Sequence, residues 1–299
     1  MAAPATRSFR AKHETLYASE RECSRYDTEL CRKQDYAGNI IAELWSVAPH
    51  LFVREGVLQP CAAADIGCGT GKLARLLVRR GCRSVAAFDR SSEVVKIANA
   101  ASDHDEAKVT FAVADQRCLP LADSSVDIAI AGWALSYLKS EHEVWNHADG
   151  TYGGPWRDEV DRALSEMQRV LRPGGVAVVL ETMGTATETP QRAGSHLYAH
   201  FLAREFAQRL IRTDYRFGSK REALTTLSFF FGKGVARRAQ GMLVERGEDD
   251  GPCMIPECTG MWWRQKHDGP RHWLPRRAAV AVVAAAAIVL AMHVGRRLA

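Results

Sequence analysis

The sequence predicts an α/β fold, a mostly parallel sheet doubly wound by helices. Three observations carry that reading. Short apolar runs alternate with amphipathic stretches of helical period from residue 61 to residue 180. The first apolar run, 61–66, ends in a glycine-rich turn that opens a helix. A helical stretch at 157–171 stops at Pro173-Gly174-Gly175 and leads directly into another apolar run. Strands separated by helices form βαβ units, whose strands are parallel and covered on both faces.

Residues 12–54 read as helical, with apolar positions at Ile40, Ile41, Leu44, Trp45 and Val47. The first strand is 61–66, and a helix at 72–80 ends at Gly81. A second strand at 84–88 precedes a helix at 92–101, capped by Ser91 or Ser92. Strands follow at 109–114 and 126–131, then a loop rich in Gly, His and Trp at 141–156. The helix at 157–171 feeds a fifth strand at 176–180. Beyond it come a loop at 182–194, a helix near 195–207, a strand at 210–215, a helical insert at about 219–246 and a closing strand at 258–263. The expected organisation is an N-terminal helical segment (1–57), one domain (58–263), a basic linker (264–277) and an apolar helix (278–295).

With 46% hydrophobic and 25% charged residues, the 299-residue chain is neither disordered, collagenous nor a polytopic membrane protein. Its net charge of +5 is too mild for a nucleic-acid surface, and no basic stripe dominates. Seven Lys and Arg against one Asp fall within 264–299, so the remainder is near neutral. Residues 278–295 carry no charge, would span about 27 Å as a helix and are bracketed by Arg276-Arg277 and Arg296-Arg297. That pattern predicts a C-terminal single-pass anchor. The excess of basic residues before it keeps the domain on the cytosolic side, on the mitochondrial outer membrane or endoplasmic reticulum. Residues 1–36 hold no apolar run of secretory length. The eight cysteines lack a framework spacing and are expected as thiols.

The chemistry concentrates at Asp65-Ile66-Gly67-Cys68-Gly69-Thr70-Gly71-Lys72. Glycines at 67, 69 and 71 permit a tight turn and a close backbone approach to a ligand. The spacing G-x-G-x-G departs from the dinucleotide pattern G-x-G-x-x-G, which argues against a nicotinamide-dependent reductase. The phosphate-loop pattern is missing as well. An acid two residues before the first glycine repels a pyrophosphate and attracts a cation. Asp89 closes the second strand, where a carboxylate can accept ribose hydroxyls. Asp115-Gln116 follows the third strand, and Gly132-Trp133 the fourth, which Asp127 opens. In open α/β sheets, ligands bind outside the carboxyl ends of the strands.

This turn, with Asp65, Asp89, Asp115 and Leu171-Arg172-Pro173-Gly174-Gly175 in order, resembles the class I S-adenosylmethionine-dependent methyltransferases of the small-molecule, type 11 kind. The motifs cover about 58–182. Stretches such as Glu181-Thr182-Met183-Gly184-Thr185 and Pro256-Glu257-Cys258-Thr259-Gly260 are similar to a poorly characterised subgroup. The resemblance implies a Rossmann-like seven-stranded sheet with the last strand antiparallel, and S-adenosylmethionine as methyl donor. It implies that Asp65, Gly67 and Gly69 shape the methionine pocket, that Asp89 binds ribose and that Asp115 with Gln116 flanks adenine. Cys68, Gly71, Arg90, Gly132 and Trp133 complete the expected cofactor-binding set.

Aromatic residues crowd the region after the fourth strand, where faces suit a sulfonium. Trp133, Tyr137, Trp145, Trp156 and Glu181 are the candidate substrate pocket, under a lid from 141–156 and 182–246. Tyr137, His142, His147 and Tyr215 are candidate bases. No metal is expected: Cys253, Cys258, His267 and His272 miss zinc-finger spacing, and His196 with His200 lack a third ligand. The expected activity is methyl transfer to a small or lipid-like acceptor. The alternative is a catalytically silent S-adenosylmethionine-binding adaptor tethered to a membrane.

Overall fold

The computed structural model describes residues 19–54, 57–58, 61–101, 108–146, 151–191, 195–247 and 250–267. The chain opens with α1 (Glu20–Glu29), α2 (Asn39–Val47) and a two-strand hairpin, β1 (Val53–Arg54) and β2 (Val57–Leu58). The wound region follows as β3 (Ala62–Ile66), α3 (Lys72–Arg79), β4 (Ser84–Asp89), α4 (Ser92–Ala100), β5 (Val109–Val113) and β6 (Val126–Gly132). Next come α5 (Leu135–His142), β7 (Val144–Asn146), β8 (Thr151–Gly153), α6 (Trp156–Val170) and β9 (Leu171–Thr185). The last third holds α7 (His196–Ala203), β10 (Ala207–Arg212), β11 (Tyr215–Phe217), α8 (Lys220–Phe231), α9 (Lys233–Glu245), β12 (Cys253–Ile255) and β13 (Glu257–Gln265).

Seven strands form one sheet in the order β10-β13-β9-β6-β3-β4-β5. The β3, β4, β5, β6 and β9 ladders are parallel, and β13 runs antiparallel to both β9 and β10. This is the mostly parallel seven-stranded sheet the resemblance implied. All of β3 is buried, as is nearly all of β6, because helices cover both faces. On α3, Leu73, Ala74, Leu77 and Val78 recur at helical spacing and face Ile128, Ile130, Val178 and Leu180 in one core. Full burial of each of the leucine, isoleucine and valine side chains contributes about 1.5–3 kcal/mol. A second core gathers Leu30, Phe217, Leu227, Leu243 and Ile255 under α8 and α9.

Several elements differ from the expectation, each for a local reason. The N-terminal stretch is two helices, broken where Asp35 and Gly38 turn left-handed at φ 58° and 72°. The Asp35 carboxylate then caps α2, accepting from Asn39 N at 2.8 Å and Ile40 N at 3.2 Å. The strand expected at 210–215 is two strands. Asp214 breaks it by turning its carboxylate to Arg212 Nε and Glu257 N, and the chain leaves the sheet to pair β11 with β12. The insert at 219–246 splits at Gly232, with φ 91°. The 141–156 loop contains the β7–β8 hairpin, with 147–150 outside the described residues. Among the described residues no helix is long and apolar enough to cross a membrane. The expected anchor, 278–295, lies outside them.

Gly260 shows how closely the antiparallel edge is packed. A Cβ there would run into the ring of Trp262, which is wholly buried against Tyr198 and Phe201. Gly260→Ala is expected to destabilise the fold by about 1–3 kcal/mol, since overpacking forces a buried ring off its rotamer. Urea unfolding checks it, and an unchanged midpoint refutes this account of the edge.

Candidate functional site at the carboxyl ends of the parallel strands

The turn from β3 into α3 is built on backbone geometry that only glycine adopts freely. Gly67, Gly69 and Gly71 have φ of 69°, 53° and 88°. The nitrogens of Gly67 and Cys68 both donate to Phe88 O, at 2.8 and 2.9 Å, which ties the turn to β4. A Cβ at Gly67 would lie 2.5 Å from Ala134 Cβ, so the turn also sits hard against the start of α5.

Asp65 is fully buried below this turn. Its Oδ2 accepts from Ala74 N at 2.9 Å, in the first turn of α3, where helix N–H groups lack partners of their own. Its Oδ1 is buried without a hydrogen-bond partner among the described residues. Burial, with a smaller push from the Asp89 charge, raises the carboxyl to about 7 against the pull of Ala74 N. Asp89, at the end of β4, accepts from Gly69 N and Ser91 N, each at 3.0 Å. Burial raises it too, and those two N–H groups hold it back.

These groups meet around a cavity of about 500 Å³. It is lined by Asp65, Gly67, Cys68, Gly69, Asp89 and Arg90, and further along by Asp115, Gln116, Gly132, Trp133 and Tyr137. Gly71 is the one expected cofactor residue that does not line it. It caps α3 instead, and a Cβ there would meet the Phe111 ring. Arg90 pairs with Glu141 at 2.7 Å across the rim. Asp115 is held by Arg117 through Nε at 2.9 Å and backbone N at 2.8 Å. The Arg117 guanidinium keeps it below the usual carboxylate range. Gln116 Oε1 is buried without a partner among the described residues. Trp133 holds a left-handed φ of 53°, fixed by its N–H on Leu180 O at 2.7 Å. Strain of this kind in a non-glycine residue persists only where neighbours impose it.

Other expected pocket residues lie elsewhere. Trp156 is fully buried in the first turn of α6, in line with Val160 and Leu164, and its ring meets His200 at 5.5 Å. It is core. Trp145 packs on Tyr152 within the hairpin, at 4.7 Å between ring centres. Glu181 is buried behind the wall, where Oε1 accepts from Ser136 N at 2.8 Å and so caps α5. Of the candidate bases, only Tyr137 lines the cavity among the described residues. Tyr215 is buried in the β11–β12 pair, and burial pushes its phenol well above its ordinary range. His142 Nδ1 turns back to Leu138 O at 3.0 Å. His147 lies outside the described residues. Asp127 holds Ala62 N at 2.8 Å and Arg172 at 3.0 Å at the amino end of β3, away from the cavity. His200 is bound to Asp161 at 2.8 Å.

The N-terminal segment was not read as part of the site, yet Tyr26, Cys31 and Gln34 line the cavity. Thr70 Oγ1 donates to Asp27 at 2.6 Å. Lys72 Nζ donates to Cys31 O at 2.9 Å and Gln34 O at 2.8 Å. The one local signal is Ser19-x-x-Glu22, whose Ser19 Oγ accepts from Glu22 N at 3.3 Å and starts α1. It marks a helix and says nothing of where that helix docks.

Asp65 makes stability depend on pH. Its folded pKa of about 7 lies above the ordinary 3.8, so between those values the folded chain binds a proton that the unfolded chain has lost. Stability of the ligand-free protein is therefore expected to fall as pH rises from about 4 to about 7 and to level off above, by up to about 4 kcal/mol from this group. Urea midpoints across that range check it. Asp65→Asn should flatten the slope, and an identical slope in the variant would refute it.

A family model described as "Methyltransferase domain" matches residues 64–179. The malonyl-[acyl-carrier protein] O-methyltransferase of Pectobacterium atrosepticum is 37% identical over 112 residues, 38% of this chain and 35% of that protein. The protein of the same name from Hahella chejuensis is 30% identical over 179 residues, 57% of this chain and 55% of that one. The chain thus spans from about a third to about half the length of these curated relatives. A solved structure of a putative type II methyltransferase from Anaeromyxobacter dehalogenans aligns over 80% of this chain and 97% of its own, with 21% identity and a TM-score of 0.46. The matched residues run from β3 into β9 and contain the glycine turn, Asp65, Asp89 and Asp115. Residues 64–179 thus carry a methyltransferase domain, of the S-adenosylmethionine-dependent kind that the sequence resembles.

Proposed function

We propose that this protein transfers the methyl group of S-adenosylmethionine to a small or lipid-like acceptor. The observation that carries the reading is a pair of buried acceptor oxygens at the cavity wall, Asp65 Oδ1 and Gln116 Oε1, neither with a partner among the described residues. S-adenosylmethionine brings an ammonium and an adenine amino group, donors that suit two such oxygens. Leaving them unmet would cost roughly 1–3 kcal/mol each. Asp89 keeps lone pairs for ribose hydroxyls while its backbone donors hold it in place.

When bound, the sulfonium supplies an electrophilic methyl that needs no metal. The protein contributes position and exclusion of water. Trp133 and Tyr137 form the wall after β6, where an aromatic face attracts a cation. Glu181 acts through α5 by fixing the turn that carries Tyr137. A wall on which Tyr137 is the one candidate base among the described residues suits an acceptor already ionised at neutral pH. The carboxylate oxygen suggested by the relatives' name, malonyl-[acyl-carrier protein] O-methyltransferase, is such a group. An intact turn and intact strand-end acids argue against the silent adaptor. We further propose that 278–295 anchors the chain in a membrane, with the domain facing the cytosol. Its 18 uncharged residues and basic flanks support that.

Labelled S-adenosylmethionine incubated with metabolite and lipid extracts is expected to yield a labelled product. Asp89→Ala should weaken S-adenosylhomocysteine binding by roughly ten- to hundredfold, the worth of a charge-assisted hydrogen bond. Calorimetry that detects no binding to the unmodified protein would sink the reading. For the anchor, the full chain should float with liposomes and a chain ending at residue 267 should not. Equal flotation of both would remove 278–295 from that role.

A further inference from the structure

Two buried thiols meet at the end of β3 that faces away from the cavity. Cys61, just before β3, and Cys82, between α3 and β4, place their sulfurs 2.8 Å apart. Sulfur is larger than nitrogen or oxygen, yet this is the separation of an ordinary N–H···O bond. It exceeds the covalent S–S length by only about 0.8 Å. The backbone sets the approach. β3 and β4 pair in parallel with Ala62 opposite Ser84, and one step earlier Arg83 N donates to Cys61 O at 2.8 Å. Cys82 is the next residue back, fixed by its own N–H on Leu77 O at 3.0 Å. Neighbouring strands lie about 4.7–4.9 Å apart, within the Cα separation of about 4.4–6.8 Å that a disulfide accepts.

The two sulfurs are not equivalent. The hydrogen bond from Cys82 lowers the Cys61 thiol from its ordinary value, against burial and the Asp127 charge, and the nearby Arg83 charge adds to the lowering. The same bond, with burial, raises Cys82. Cys61 is therefore the nucleophile and Cys82 the thiol that resolves it. Both side chains are buried, but only just beneath the surface: Gly81 and Arg83, on either side of Cys82, are exposed. That depth admits a small neutral oxidant and excludes a bulky one.

We propose that Cys61 and Cys82 form an oxidation site for hydrogen peroxide, which joins them in a disulfide that staples the β3–α3 unit. The Cys61 thiolate attacks one peroxide oxygen and the O–O bond breaks. The departing hydroxide takes the proton that Cys61 gave up and leaves as water, so Cys61 becomes a sulfenic acid. The Cys82 sulfur then attacks the Cys61 sulfur and the S–O bond breaks. That hydroxide leaves as a second water with the Cys82 proton. The two sulfurs lose two electrons in all, and the peroxide oxygens gain them. The new bond joins positions 21 apart and encloses β3, the glycine turn and α3, the segment that carries Asp65. Such a link removes freedom from the unfolded chain. Neither cysteine is among the residues that line the cavity, so the inference is independent of the methyl-donor reading.

The test treats the reduced full chain with hydrogen peroxide, then blocks free thiols and digests with trypsin. Fragment 55–72 should be found linked to fragment 81–83, and fragmentation should place the bond at Cys61 rather than Cys68. The melting temperature of the oxidised protein should rise by roughly 5–10 °C, and dithiothreitol should reverse both changes. Cys61→Ser and Cys82→Ser should each abolish the rise. A bond through Cys68, or no bond at a dose that oxidises the exposed Cys118, overturns the proposal. So does a melting temperature that stays the same or falls when the bond forms, or a rise that persists in either variant. Should the variants fail to fold, the fragment map and the reversible rise in the unmodified protein decide.

Discussion

A carboxylate sealed beneath the first turn of a helix sets the geometry from which the rest of the site follows. Asp65 cannot reach water, and it meets Ala74 N only if the chain reverses within a few residues of β3. That reversal demands left-handed backbone at residues 67, 69 and 71 and brings the turn against Phe88 and Ala134. Asp89 then has a fixed N–H to accept, and Trp133 is forced into its own left-handed turn beside α5. The constraint is steep because an unmet buried acceptor and a displaced glycine each cost on the order of a kilocalorie or more.

Much of this was legible in the sequence, because it rests on local rules. Apolar runs of strand length, a glycine turn and acids at strand ends are contiguous patterns, and β3, β4, β5, β6 and the middle of β9 appear where those patterns place them. The errors share a cause. Trp156, Trp145 and Glu181 sit close in sequence to residues that line the cavity, but they face other partners. Helical phase decides this for Trp156, which falls in register with Val160 and Leu164 on the buried stripe of α6. For Glu181 the deciding fact is the orphan N–H of Ser136, a requirement of a helix distant in sequence.

The N-terminal contribution was invisible for a different reason. Tyr26, Cys31 and Gln34 carry no pattern that announces a ligand, and their place depends on contacts with Thr70, Lys72 and Thr213. Neither composition nor period encodes a partner 179 positions away. The breaks at Asp214 and Gly232 are intermediate cases. Each residue is a recognisable breaker, but whether it ends an element is settled by what it bonds.

The fastening of residues 31–36 to the far end of the fold has a consequence for how the protein is made. Asp35 N donates to Thr213 O, and Gln34 bridges to Tyr215, so this segment docks on one synthesised about 180 residues later. The wound strands can assemble as they emerge, because each pairs with one made before it: β4 with β3, β5 with β4, β6 with β3 and β9 with β6. The wall made by Tyr26, Cys31 and Gln34 is tied to Thr70 and Lys72 beside the turn, and it gains its ties to Thr213 and Tyr215 only when β10 and β11 exist. A ribosome-bound chain that stops short of residue 213 would thus carry Asp65, Asp89 and the glycine turn with that wall of their chamber held from the turn alone, without its ties to Thr213 and Tyr215.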